Sequence, residues 1–219
     1  MATLAPEIPD IEITVPDELA DRIDVVEVGD AVEVAVLKKI SDLNSKSETG
    51  TTTAFAGNSI IDSSLQTRSE KGDSSAMTFN NKKINRTEIE VKGRGDAILN
   101  VNTGRIANSN IKFNRSGNDS IKFANGVEVK NVTVDAGKGA DTITFRERSI
   151  IKGTNVVTLG NGKDVLVLPV DKNGGGEIRV TDLSDNDTIK IGDNTYSGKD
   201  ILAGKIDDLP DYLVIEGLD

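Results

Sequence analysis

The only regularly spaced chemistry in this sequence is carried by aspartate: Asp73, Asp96, Asp119, Asp141, Asp164 and Asp187 recur at intervals of 23, 23, 22, 23 and 23 residues. A row of carboxylates can hold a hard cation, divide the work of an acid and a base, or tie down turn backbone. Four of these aspartates close glycine-containing corners, "KGRGD", "RSGND", "AGKGAD" and "GNGKD", which also carry Arg94, Arg115, Lys138 and Lys163. If the corners stack, Asp119, Asp141 and Asp164 form a ladder on one edge, with like charges about 5 Å apart. Either a cation or the nearby bases must relieve that repulsion. Asp119, Asp141 and Asp164 are therefore the candidate metal ligands, with Ca2+ the ion whose chemistry suits them. Asp and Gly acting only as turn formers is the competing reading, and it needs no ion.

Other reactive groups are scarce. The chain has no cysteine and no histidine, which removes disulfides, zinc clusters, thiol nucleophiles and imidazole acid/base chemistry. It has no tryptophan, and its two tyrosines, Tyr196 and Tyr212, fall near the C-terminus, away from any groove a repeat would form. The acids are spread evenly instead of being focused as glycoside cleavage requires. No catalytic and no cofactor-binding residue is assigned. The tripeptide "RGD" at Arg94–Asp96 reads as one of the corners. Five N-x-Ser/Thr sequons, at Asn85, Asn114, Asn118, Asn131 and Asn186, read as turn and ladder residues.

The elements that must position these corners follow from the repeat. Written in lines of 22 or 23 residues, the middle of the chain gives an alternating pair after each aspartate, as in Ile121 and Phe123, Ile143 and Phe145, Leu166 and Leu168, and Ile189 and Ile191. A second pair precedes it: Ile89 and Val91, Ile111 and Phe113, Val132 and Val134, Val157 and Leu159, Ile178 and Val180. Period two marks strands. A third apolar position recurs at Ile60, Ile84, Ile106, Val127 and Ile150. Each line supplies two firm strands and a weaker third. The "DAILNV" segment suggests a bulge near Ile98 and Leu99. Such a chain predicts an all-β fold, a single-stranded parallel β-solenoid (β-helix) of about six coils. A hydrophobic content of 36% with 3% aromatics suits its thin aliphatic core.

The flanks differ. "DAVEVAVLKKISDLN" places Val32, Val36, Ile40 and Leu43 at helical spacing, although "VEVAV" also alternates as a strand would; "PDELADRI" suggests a helical turn. The expected organisation is an N-terminal docking arm with some helix over 1–44, a Ser/Thr/Gly linker over 45–57, solenoid repeats over 58–191, and a C-terminal cap over 192–219 with a short helix near Gly198 to Leu202.

The corner G-x-G-x-D-x-U-x, best in Gly137 to Thr144 and Gly160 to Val167, resembles the nonapeptide repeat of the RTX (hemolysin-type) calcium-binding proteins. That resemblance implies a β-solenoid whose Asp119, Asp141 and Asp164, with loop carbonyls, share calcium. The match is partial, because RTX repeats recur every nine residues and this motif once per 22 to 23. A net charge of -10 opposes phosphate binding, so no nucleic-acid partner is expected. The N-terminus lacks the charged and apolar regions of a signal peptide, and no apolar run is long enough to insert in a membrane. The order arm, linker, solenoid resembles accessory proteins of virus particles: phage head decoration, knob or fibre components. It implies a non-enzymatic protein on the virion surface, with capsid or tail subunits as partners, a possible homo-oligomer and a possible surface glycan. The alternatives are an RTX-like calcium-binding protein, extracellular or on a cell surface, and a carbohydrate-active β-helix enzyme.

Overall fold

The computed structural model describes residues 12–14, 23–28, 31–36, 40–41, 44–47, 52–114, 116–171 and 173–218. Strands pile up in three mainly parallel sheets, with a two-stranded parallel pair, Lys138–Gly139 and Asn161–Gly162, at one corner. Each turn of the chain contributes one strand to a 10-stranded sheet, then a short one to a 6-stranded sheet, then one to a 9-stranded sheet. One such turn is Ser74–Asn81, Ile84–Asn85 and Glu88–Gly93, after which Asp96–Val101 begins the next. The result is the β-solenoid expected from the 22-residue period.

The registers show why these residues form these strands. Along the 10-stranded sheet Met77, Leu99, Ile121, Ile143, Leu166 and Ile189 lie opposite one another in successive turns. Along the 9-stranded sheet the column is Leu65, Ile89, Ile111, Val134, Val157, Val180 and Ile215. Ile60, Ile84, Ile106, Val129 and Ile151 make the third. All three columns are buried in one continuous core. Their β-branched and γ-branched side chains stack on their own equivalents, which fits a pleated surface buried on its inner face. Four of the core phenylalanines form two stacked pairs. Phe55 and Phe79 stack with ring centroids 5.1 Å apart, and Phe123 and Phe145 at 4.7 Å. The offset-stacked geometry adds about 1 kcal/mol per pair beyond burial.

These registers correct the sequence frame in three places. The third column uses Val129 and Ile151, not Val127 and Ile150; Val127 is buried at the corner ahead of its strand, and Ile150 is half-buried. Val132 likewise lies ahead of its strand Thr133–Asp135, and Ile178 pairs with Asn155, so the aligned residues there are Val134, Val157 and Val180. Finally, Asp96–Val101 carries no bulge: burial alternates without interruption, with Ile98 pointing out at 46% exposure and Leu99 fully buried.

The corner between the short strand and the 9-stranded sheet is built on one left-handed residue per turn: Asp62, Arg86, Asn108, Asn131 and Gly153, with φ between 48° and 58°. Asparagine and aspartate tolerate this conformation because their short side chains bond locally. Asn131 Nδ2 donates to Asn108 Oδ1 at 3.1 Å, and Asn108 Nδ2 donates to Asn85 Oδ1 at 3.0 Å. Three of the sequon asparagines thus have architectural tasks: Asn85 and Asn131 here, and Asn118, whose Oδ1 accepts the Ala140 N–H at 2.8 Å. Arg86 is the unusual member, held by a two-pronged ion pair to Asp62 at 2.5 and 2.6 Å.

The N-terminal expectation of helix is overturned where the chain is described. Ala31–Val36 is a strand, antiparallel to Ile23–Val28 and parallel to Thr52–Gly57, so the period-two reading of "VEVAV" prevails. β-branched valines at alternate positions favour the pleated surface over the helix. Ile40–Ser41 and Asn44–Ser47 continue this turn into the other two sheets. Thr52–Gly57, inside the expected 45–57 linker, is also a rung, with Thr53 and Phe55 buried. The solenoid therefore starts well ahead of residue 58. Most of the "PDELADRI" turn and residues 48–51 of the linker lie outside the described residues.

Both ends close with antiparallel strands. Glu12–Thr14 pairs antiparallel with Asn44–Ser47. At the other end Asn194–Ser197 turns back antiparallel on Thr188–Ile191. The expected helix follows at Gly198–Leu202; Ser197 Oγ accepts the Asp200 N–H at 3.1 Å and donates to the Asp200 carboxylate at 2.8 Å, a reciprocal cap. Leu213–Ile215 then adds the last parallel rung to the 9-stranded sheet. Tyr212, buried beside it, donates its hydroxyl to the Pro169 carbonyl, and burial pushes its pKa up to about 12.

Candidate functional site

The recurring aspartates sit at the corner that joins the 9-stranded to the 10-stranded sheet. The turns approach one another closely here. A Cβ on Gly139 would stand 1.6 Å from the Gly117 carbonyl oxygen, and one on Gly162 would stand 1.5 Å from that of Gly139. The same added carbons would crowd the carboxylate two residues on, at 3.3 Å from Asp141 Oδ1 and 3.1 Å from Asp164 Oδ1. Glycine at this place admits both the neighbouring turn and the inward-facing aspartate. That is the physical content of the G-x-D spacing.

The aspartates then form a buried ladder. Asp119 Oδ1 accepts the Ala97 N–H, Asp141 Oδ1 accepts the Asp119 N–H, and Asp164 Oδ1 accepts the Asp141 N–H, each at 2.8 Å; Asp187 Oδ1 accepts the Asp164 N–H at 3.0 Å. Every carboxylate reaches back one turn to satisfy a main-chain donor. The ladder ends where Asp187 Oδ2 accepts the Ser184 N–H at 2.8 Å. Asp182 performs a related task beside it, its two oxygens accepting the N–H groups of Leu159 and Gly160 at 2.7 and 2.8 Å. Its signal in the sequence was its place 23 residues after Leu159.

Asp119, Asp141 and Asp164 thus share one column, as the period required. Asp73 and Asp96 do not belong to it. The strand register places Asp96 opposite Ser74, and Ala97 takes the position below Asp119. Three residues separate Asp96 from Leu99 but two separate Asp119 from Ile121, and the buried aliphatics, not the aspartates, set the register. Asp96 is exposed and its Oδ1 accepts the Asn118 N–H at 2.8 Å, which ties the "RGD" aspartate to the next turn.

Burial governs the charge of the ladder. Asp119, Asp141 and Asp164 are 7%, 2% and 1% exposed. Desolvation raises their pKa values to about 7, about 7 and about 6, against the N–H bonds that lower them; neighbouring aspartates raise them further. The outer oxygens of Asp141 and Asp164 are buried without a hydrogen-bond partner.

This arrangement does not fit a calcium ion shared along the ladder. Ca2+ takes six to eight oxygens in an open shell. Here one oxygen of each carboxylate is already held by a main-chain N–H, and among the described residues no three acidic side chains converge on a cation position. The chemistry the column can perform is to accept backbone hydrogen bonds and to take up protons.

A second feature lies on the outside of the same corner. Arg68, Lys92, Arg94 and Lys138 line a cleft of about 700 Å3, with Glu70 the one carboxylate among the described residues that line it. The sequence placed Arg94 and Lys138 in the corners, and Lys92 opens the corner "KGRGD"; Arg68 was missed because only the register, which sets it opposite Lys92, brings it alongside. Arg115 lies outside the described residues.

No protein-family model, curated protein or solved structure matches the chain.

Proposed function

We propose that this chain is a non-enzymatic structural and interaction protein, an accessory component of a virus particle surface that holds a stiff β-solenoid against or above capsid or tail subunits. The observation that supports this reading is the engagement of the ladder: each carboxylate from Asp119 to Asp187 is committed to the main chain of the neighbouring turn. The most regular chemistry in the sequence is thereby used to build the rod. Antiparallel strands at both ends suit a rod of fixed length that does not polymerise by strand addition. Docking falls to residues 1–11, since strands from Glu12–Thr14 onward already contribute to the sheets.

Particle sedimentation tests this. The full chain is expected to pellet with particles from its source, and a variant lacking residues 1–11 is expected to stay in the supernatant while keeping its β-sheet circular dichroism. A native protein that remains a free monomer and never sediments with particles overturns the proposal.

A further inference from the structure

Within a chain of net charge -10, the cleft beside the aspartate corner stands out, because among the described residues four cations line it and a single carboxylate, Glu70, opposes them. Two of the four are already matched: Arg68 pairs with Glu70 at 2.5 Å, and Lys92 with Glu90 at 3.0 Å. Arg94 and Lys138 are exposed and have no ion-pair partner among the described residues. They come from different turns of the solenoid and face one space. Lys138 is fixed by a bridge to Ser116, whose following residue Gly117 donates its N–H to the Lys138 carbonyl at 3.0 Å. Ser116 also lines the cleft and adds a hydroxyl.

We propose that this cleft is an oxyanion-binding site, with Arg94 and Lys138 as the charged contacts and Ser116 as a hydrogen-bond donor, for a phosphate or sulfate monoester such as a sugar carries. An Arg fork matches a tetrahedral oxyanion in two-pronged fashion, and a Lys adds a mobile point charge. A concave site lined by one sign of charge concentrates its field, so a local anion site persists on an acidic protein. Nucleic acid is the less suitable ligand. Among the described residues the cleft has no aromatic side chain on which a base could stack, and the surrounding negative charge repels a long polyphosphate. This inference is independent of the virion reading.

Isothermal titration of the full chain at low salt tests it, with glucose 6-phosphate, inorganic phosphate, glucose and a short oligothymidylate as probes. Glucose 6-phosphate is expected to bind saturably and glucose not to bind. The double variant Arg94→Ala/Lys138→Ala is expected to lose at least tenfold in affinity, whereas Lys190→Ala, an exposed lysine on another strand, leaves it unchanged. All three of these side chains are exposed, and circular dichroism checks that each variant keeps its sheets. Tighter binding of the sugar ester than of inorganic phosphate identifies an esterified ligand; equal binding identifies the free anion; both support the site. No saturable anion binding, an affinity untouched in the double variant, or tighter binding of the oligonucleotide overturns it.

Discussion

Asp141 holds one oxygen against the Asp119 N–H while the other is buried with no partner, so the fold disfavours its ionised form and favours the protonated one. A carboxylate whose folded pKa is raised contributes stability that is present below its unfolded pKa and is lost as pH rises through the folded value. Asp119, Asp141 and Asp164, with folded values of about 7, 7 and 6, all act in this direction. Asp96, Asp182 and Asp187 surround them and add repulsion. Stability to urea is expected to rise as pH falls from 8 to 5, by about 1.4 kcal/mol per pH unit for each proton taken up. Glu128 and Asp200, whose basic partners hold them below the usual range, work in the opposite direction only at lower pH. Urea midpoints at pH 8 and pH 5 check this, and Asp141→Asn, which keeps the acceptor for Asp119, is expected to flatten the dependence; equal midpoints for the native chain count against it. The same geometry predicts the response to calcium. Millimolar Ca2+ added to EDTA-treated protein is expected to leave the melting temperature unchanged at pH 7.5, and a rise of several degrees would show that the column opens to admit the ion.

At the scale of the element, the corner glycines separate two effects that usually coincide. Gly162 meets the Gly139 carbonyl but has no positive φ, whereas Gly72 has φ +94° with nothing within 4 Å of an added Cβ. Gly72→Ala is expected to cost about 1 to 2 kcal/mol from backbone strain alone. Gly162→Ala must push two stacked turns apart, and it is expected to cost about 3 kcal/mol or more, as overpacking at a site that cannot yield does. Urea denaturation of both variants compares them directly; an equal or reversed order would mean that the turns part easily. These corners also show what the sequence made legible. The strand columns could be read because Ile121 and Phe123 or Ile143 and Phe145 repeat their alternation at a fixed distance from aspartate. The register of the earlier turns could not, since one residue gained between Asp96 and Leu99 leaves the aspartate period intact while it moves Ala97 into the ladder. Spacing alone also could not tell whether Asp141 faced an ion or the backbone, because the glycine two residues before it serves both arrangements.

For the molecule as a whole, the N-terminal misreading and the end caps have one origin: a solenoid turn is recognised by its neighbours, and at the ends there is a neighbour on one side only. "VEVAV" carried both periods in isolation, and pairing with Thr52–Gly57 decided between them. The C-terminal cap was legible where the period stopped at Gly192, but not the return of Leu213–Ile215 as a further rung, for which no repeat remained to set the frame. That return gives the cap two separate tasks. Asn194–Ser197 covers the edge of the 10-stranded sheet, while Leu213–Ile215 and Tyr212 cover the 9-stranded sheet and the end of the core. A chain truncated after Gly192 leaves Thr188–Ile191 and Glu177–Val180 as open parallel edges, each presenting unpaired N–H and C=O groups beside buried aliphatics. It is expected to keep most of its β-sheet circular dichroism, because the preceding turns retain their own contacts, but to associate end to end. Light scattering on size-exclusion eluate is the measurement: concentration-dependent growth of the truncated chain beside a native chain of constant mass is the expected result. A truncated chain that stays at the native oligomeric state would show that the last turn protects its own edge, and that the cap serves another purpose.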